Sequence, residues 1–456
     1  MRSVLPARLG LLVGAVALLA ACASEPADPA DPAAPSSEAD GPAHVEVVQT
    51  DGRYQLLVDG SPFFIEGAGL EFGDIAALAG HGGNSFRTWR TDNGERTARE
   101  VLDEAHQHGL MVTMGLEIAR EREGQGRGVF GFDYDDEAAV AEQLARVREE
   151  VEALKDHPAL LMWGIGNELN LGAENPAVWD AVGQISDMIH EVDPHHPTTT
   201  MLAGVSKEIV DEIRVRAPSL DLLSVQFYAD IENLPQRIAD AGWTGPYMVT
   251  EWGATGHWEV AETPWGAPIE NNSSVKADLY RTRYETAIAS DTTQILGSYV
   301  FLWGQKQERT PTWYGMFMPT GEQTEAVDVM ETLWTGQPLA NRTPRLESLT
   351  LDGRVATDAI QLAAGQEVPA AVVSTDPDGD GLRYEWEVRR EQTDLSEGGD
   401  DESVPELLTG AVAPTDAAQV SVTAPAETGA YRLFVNVYDG QGHAAHANIP
   451  FYVGDF

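Results

Sequence analysis

Cysteine is almost missing from this chain. Cys22 is the only one in 456 residues, which excludes disulfides and a cysteine nucleophile. Positive charge is also scarce: 29 Lys and Arg stand against 73 Asp and Glu, a net charge of −44. Such a surface repels nucleic acid and anionic headgroups, so nucleic acid is not expected as a partner. Long apolar runs are lacking too. The stretch from Leu9 to Ala21 is too short for a typical membrane-spanning helix.

What the chain does contain is an alternation. A hairpin is expected first, with Val45 to Val48 and Tyr54 to Val58 joined around Asp51-Gly52. Apolar runs then predict strands at 63–68, 84–89, 110–116, 160–166, 198–202, 222–227, 247–250 and 297–303. Between them, helical periodicity predicts helices over 97–108, 135–155, 176–191, 206–216, 235–241 and 274–290, with a short one from Asp74 to Ala79. Eight strand–helix alternations over about 290 residues match a (β/α)8 barrel of ordinary size.

Every parallel strand of such a barrel delivers its C-terminal residue to one face. Glu168 closes Leu160 to Gly166 and Glu251 closes Tyr247 to Thr250, so both carboxylates are expected in one cleft. Arg87, Trp89, Glu117, Tyr228 and Trp303 reach the same end. A carboxylate directly after a buried strand is desolvated, which structure alone does not require. Two converging carboxyl groups are what acid-catalysed cleavage of a glycosidic bond needs: one protonated to serve the leaving oxygen, one ionised to attack or stabilise the sugar cation.

The stretch Asp156-His157-Pro158-Ala159-Leu160-Leu161-Met162-Trp163-Gly164-Ile165-Gly166-Asn167-Glu168 resembles the acid/base signature of family 2 glycoside hydrolases, which belong to the clan of retaining (β/α)8 enzymes. The resemblance spans about residues 45 to 335. It implies Glu168 as acid/base and Glu251, at the end of the seventh strand, as nucleophile. It further implies that Asn167 binds the sugar 2-hydroxyl, that Tyr228 and Arg87 hold the nucleophile, and that Trp303 forms the floor beneath the sugar. Family 2 enzymes usually carry a jelly-roll and an immunoglobulin-like domain before the barrel. The chain departs from that pattern, so galactosidase or glucuronidase specificity is not carried over.

Aromatic residues point to sugar independently. Trp252, Trp258 and Trp265 lie in or near the loop after the seventh strand, and Trp303, Trp313 and Tyr314 on or after the eighth. Flat aromatic faces cover the apolar faces of pyranose rings, so Trp252, Trp258 and Trp303 are expected to bind substrate. Trp163, inside a buried strand, is assigned to the core. His257 fits a substrate contact or a hydrogen-bonded surface histidine equally well. The surplus of negative charge favours a neutral poly- or oligosaccharide as the carbohydrate partner.

Arg2 and Arg8, the apolar stretch to Ala21 and the sequence Leu19-Ala20-Ala21-Cys22 resemble the signal and lipobox of bacterial lipoproteins. Residues 1–21 are therefore expected to be a signal peptide and Cys22 the lipidated residue, with a tether rich in Ala, Pro and acidic residues over 22–43. The expected location is the bacterial cell envelope, periplasmic or on the outer-membrane surface, with the membrane touched through the lipid alone.

The barrel is assigned to 44–336, a linker to 337–344 and a second domain to 345–456. That last part reads as short strands only, at 368–374, 382–388, 419–424, 431–438 and 446–453, which suggests an immunoglobulin-like β-sandwich. It is expected to fold separately and to be dispensable for chemistry. Asp376, Asp378 and Asp380, with Glu387 at the twelfth place, match an EF-hand pattern, but 382–388 alternates like a strand. A looser structural calcium site on these aspartates stays open, and no cofactor is expected for catalysis. The sequence thus indicates a retaining β-glycoside hydrolase, the alternatives being a transglycosylase using the same carboxylates or a non-catalytic glycan-binding lipoprotein.

Overall fold

The computed structural model describes residues 41–124, 128–396 and 399–456. The expected signal peptide, the lipidated Cys22 and the tether up to residue 40 lie outside the described residues. Among the described residues no helix is long and apolar enough to cross a membrane.

The chain begins with a three-stranded antiparallel sheet of β1 (Val45–Thr50), β2 (Arg53–Val58) and β3 (Ser61–Phe63). The turn between β1 and β2 is Asp51-Gly52, both at positive φ, as the two-residue hairpin requires. Eight parallel strands follow: β4 (Ile65–Gly69), β5 (Ser85–Arg87), β6 (Met111–Leu116), β7 (Leu160–Asn167), β8 (Thr198–Ala203), β9 (Leu223–Gln226), β10 (Tyr247–Gly253) and β11 (Ile295–Phe301). They close in the order β10-β11-β4-β5-β6-β7-β8-β9. Their boundaries fall within three residues of expectation.

Helices α1 (Ile75–Gly80), α2 (Ala98–Gln107), α3 (Glu137–Leu154), α4 (Ala177–Val192), α5 (Lys207–Arg216), α6 (Leu234–Ala241), α7 (Ser273–Arg283) and α8 (Glu325–Thr335) pack outside the strands. Local chemistry starts them. Thr97 and Glu100 form a reciprocal capping box on α2, and the Asp74 carboxylate accepts from Ala77 N at 2.9 Å to begin the short α1. Helix α8 was not expected from the sequence. Its buried Val327, Met330 and Trp334 keep helical spacing, and Gly336 stops it in the left-handed conformation.

The two ends of the barrel are built differently. At the N-terminal end Ile65, Leu161, Leu222, Met248 and Leu296 meet Val45 and Leu56 of the hairpin in a dry cluster. The hairpin is stitched on by Val45 N to His195 O at 2.9 Å and Tyr54 N to Thr293 O at 2.8 Å. The C-terminal end is open.

Beyond the barrel lie two four-stranded sheets, β12 (Arg345–Leu351), β14 (Glu367–Thr375), β17 (Gln419–Thr423) and β16 (Val412–Ala413) in one, β13 (Gln361–Leu362), β19 (Ala444–Val453), β18 (Gly429–Tyr438) and β15 (Arg383–Arg390) in the other. Alternating inward residues such as Val368, Ala370 and Val372 fill the space between them. This sandwich touches the barrel through buried polar contacts. Arg432 donates to Pro268 O at 2.9 Å, Asn448 to Glu270 at 2.5 Å, and Ser273 Oγ accepts from His446 N at 3.0 Å. Trp265, in the loop after β10, packs on Tyr452 and Phe456 of the sandwich.

Candidate active site

Strand β10 carries Glu251 to the open end of the barrel, where it is buried but lines the cleft. Donors surround its carboxylate. Oε1 faces Trp89 Nε1 at 3.2 Å, Gln226 Nε2 at 3.1 Å and the Arg87 guanidinium at 3.2 Å, and Oε2 accepts from Tyr228 OH at 3.0 Å. An ionised carboxylate, which only accepts, satisfies all of these. Arg87 is wholly buried. Burial works against its charge, and the charges of Glu251 and Glu168 work for it. It also stacks on Trp89 at 4.4 Å and donates to Asn167 Oδ1 at 2.7 Å.

Asn167 ends β7, and its Oδ1 accepts a second bond from Gln226 at 2.8 Å. With that oxygen engaged, its amide nitrogen is the group left for a ligand. Glu168 follows at φ 52°, a left-handed conformation uncommon for a residue with a side chain, after Gly166 at φ 74°. The turn is pinned by Glu168 N donating to Met201 O at 2.8 Å. Among the described residues no side-chain donor reaches the Glu168 carboxylate. Burial, and then the charge of Glu251, push its pKa up to about 7, with Arg120 and Arg87 opposing. The site thus holds one carboxyl group able to keep its proton near neutrality and another enclosed by donors.

The model for the TIM-barrel domain of glycosyl hydrolases family 2 matches residues 71–257, a stretch that contains both glutamates. These findings support a glycoside hydrolase. Among solved structures, a Bifidobacterium dentium β-glucuronidase complexed with coumarin-3-O-glucuronide matches with a TM-score of 0.50 and 18% identity, over 65% of this chain and 50% of that one. Bacteroides uniformis β-glucuronidase 2 gives 0.49 and 11%, over 90% and 48%. A family 5 mannosidase from Rhizomucor miehei gives 0.47 and 14%, over 63% and 96%. The chain spans about half the length of the two β-glucuronidases, and at such identities the likeness is one of fold.

The cleft has a volume of about 1050 Å³. Trp258 lines it with 60% of its surface exposed, and its ring meets Tyr228 and His257 edge-on at 5.3 and 4.9 Å. Gly256 makes this possible: a Cβ there would lie 2.7 Å from the indole. His257 lines the cleft too, with Nε2 at 3.5 Å from Glu308. Glu117 turns instead toward Arg90, at 3.7 Å.

Trp252 is a correction. It does not line the cleft but is fully buried against Tyr280 and Tyr284, with ring centroids at 5.7 and 6.0 Å. Alternation along a strand is the reason: with Glu251 facing the cleft, its neighbour must face the helices. Trp303 does line the cleft, but its indole donates to Asp74 O and packs on Phe317 and His81. The aromatic surface beside Glu251's partners is Phe301, within 6.1 Å of the Trp89, Tyr228 and Tyr314 rings. Trp313 and Tyr314 are buried behind it. Trp163 is core as expected, donating to Asp193 at 2.7 Å.

Sequence reasoning missed Phe301 and Gln226. Alternation would have found Phe301, because Tyr299, two residues earlier, points into the barrel to bond Ser85 and Thr113. For Gln226, its place as the last residue of β9 was the signal.

The acidic turn also differs from expectation. Asp378 is drawn away by Arg342, whose guanidinium lies at 2.8 Å. Asp376 and Asp380 come together instead with Asp439, their carboxylate oxygens within 4.8 Å of one another. Among the described residues Asp376 Oδ2 is buried and accepts no hydrogen bond.

Proposed function

We propose that the protein is a retaining β-glycoside hydrolase acting on a neutral poly- or oligosaccharide by double displacement. The observation that carries this is the unequal treatment of two carboxyl groups in one cleft. Glu168, raised toward neutrality, gives its proton to the leaving oxygen as the glycosidic bond breaks. Glu251 attacks the anomeric carbon and forms the glycosyl–enzyme ester. Water then attacks that carbon, Glu168 takes its proton back, and Glu251 leaves as a carboxylate. Arg87, Gln226, Trp89 and Tyr228 hold the nucleophile, Asn167 offers its amide to the adjacent hydroxyl, and Trp258 receives a sugar face.

The deciding experiment follows the first-formed anomer by proton NMR on a β-linked substrate. The β-anomer must appear first. An initial α-anomer overturns double displacement.

The proposal includes attachment to the cell envelope through lipid on Cys22, which keeps an acidic protein at a membrane it would otherwise be repelled from. Mass spectrometry of the mature N-terminus tests it, and an unmodified Cys22 would refute it. It also includes a structural calcium, now at Asp376, Asp380 and Asp439 rather than Asp378. Chelation should lower the melting temperature, and an unchanged one refutes the ion.

A further inference from the structure

Ser396, Gly399, Asp400 and Asp401 of the sandwich line the same cleft as Glu168 and Glu251. Two clamps hold them there. Beyond β11, the Glu402 side chain is fully buried and accepts from Arg309 N at 2.5 Å while pairing with the Arg309 guanidinium. Arg309 also donates to Ser396 O at 3.0 Å, and Lys306 Nζ to Gly399 O at 2.5 Å. The Arg309 backbone lies at φ 60°, a conformation that side-chain-bearing residues seldom take without a local reason. Beyond β6, Arg122 donates to both oxygens of Asp400, at 3.2 and 3.1 Å. Since β4 and β5 separate β11 from β6 in the barrel, the clamped chain is fixed to the rim on either side of these two strands.

Charge gives this wall a chemical preference. Lys306, Arg309 and Arg90 line the cleft, but each already has a carboxylate, Glu308 at 2.9 Å, Glu402, and Glu71 at 3.0 Å, while Arg120, which lines it too, donates to Asn167 O at 3.3 Å. Asp400 is matched in turn by Arg122, so Asp401 is the carboxylate that adds negative charge to this wall. Carboxylates accept hydrogen bonds from sugar hydroxyls and repel a sugar that carries its own carboxylate.

We propose that residues 399–402 of the sandwich form a specificity wall of the active-site cleft, with Asp401 facing a neutral, hydroxyl-rich sugar and Arg309–Glu402 as the positioning pair. The inference rests on the glycoside hydrolase reading and adds to it which sugars the cleft admits. It also revises the expectation that the sandwich is dispensable.

The test uses the full chain and 4-nitrophenyl β-glucoside, β-galactoside, β-mannoside and β-glucuronide. The best neutral substrate should exceed the glucuronide by about tenfold or more in kcat/KM. Asp401→Asn, at an exposed position, should narrow that ratio by roughly threefold. Glu402→Gln should raise KM for the neutral substrate about threefold and leave kcat within about twofold, because it displaces a wall and not the reacting groups. A glucuronide preference, an unchanged ratio in Asp401→Asn, or an unchanged KM in a folded Glu402→Gln overturns the wall. If Glu402→Gln does not fold, the Asp401→Asn ratio decides alone. Absence of turnover on every glycoside would sink the hydrolase reading and the wall together, whereas turnover with unmoved constants sinks the wall only.

Discussion

The two ends of this barrel use the same eight strands for opposite purposes. At the N-terminal end, Leu161, Leu222, Met248 and Leu296 meet the hairpin in a cluster from which water is excluded. At the C-terminal end the strands deliver Arg87, Asn167, Glu168, Gln226 and Glu251, and all but Glu168 are joined to one another by side-chain hydrogen bonds or an ion pair. Apolar burial at the closed end supplies stability that the open end spends on desolvated charge, consistent with function sitting at the C-terminal face of such barrels. Substitutions at the two ends should therefore fail in different ways.

The largest expected effect is at Glu251. An amide cannot attack the anomeric carbon, yet it nearly preserves the shape that Tyr228 and Arg87 enclose. Glu251→Gln should lower kcat by about 10⁴-fold or more, with circular dichroism and melting temperature close to wild type. Near wild-type turnover would remove Glu251 from the mechanism.

Next comes Glu168. Glu168→Ala should slow substrates with poor leaving groups by roughly 10²–10⁴-fold and largely spare glycosylation by substrates with good ones, which need no proton. The wild-type enzyme should lose kcat/KM as pH rises through about 7, where Glu168 gives up its proton. A pH profile whose alkaline limb is the same in the variant would assign that limb to another group.

At the closed end the outcome reverses. Leu161 is fully buried and lies seven residues before Glu168, roughly 23 Å along the strand direction. Leu161→Ala should cost about 2–5 kcal/mol in chemical denaturation and leave the kcat/KM of the folded fraction unchanged. A matching loss of kcat/KM would mean that the two ends are coupled.

The same contrast explains what the sequence could tell. Strand ends were legible because apolar runs stop where the cleft begins, so the sequence places Glu168, Glu251, Arg87, Asn167 and Tyr228 at one end. Side-chain direction was legible only through alternation, and where that was set aside Trp252 was assigned to the cleft when it belongs to the helix side. Gln226 acts through two neighbours on other strands, and nothing in its local sequence encodes them. The wall at 399–402 lies some 150 residues beyond Glu251, and its place depends on how the sandwich docks. Charge pairing across such a distance, as between Arg309 and Glu402, has no periodic signature.

The smallest expected effect sharpens the comparison because its sign is unusual: a substitution at the catalytic end should stabilise. Glu168 has its pKa raised from 4.5 in the free side chain to about 7 in the folded protein. Below pH 4.5 both states hold the proton and the group adds nothing to the pH dependence. Between 4.5 and 7 the unfolded chain releases its proton while the folded chain keeps it, so stability falls as pH rises. Above 7 the folded protein carries a desolvated charge beside Glu251 and the full cost remains. Glu168→Gln removes that ionisation. Its melting temperature should exceed that of the wild type by about 3 °C or more at pH 8, and the gain should shrink toward zero at pH 4. A gain of equal size at both pH values would trace to amide hydrogen bonds instead, and a loss at pH 8 would mean that Arg120 and Arg87 stabilise the Glu168 carboxylate more than burial and Glu251 oppose it.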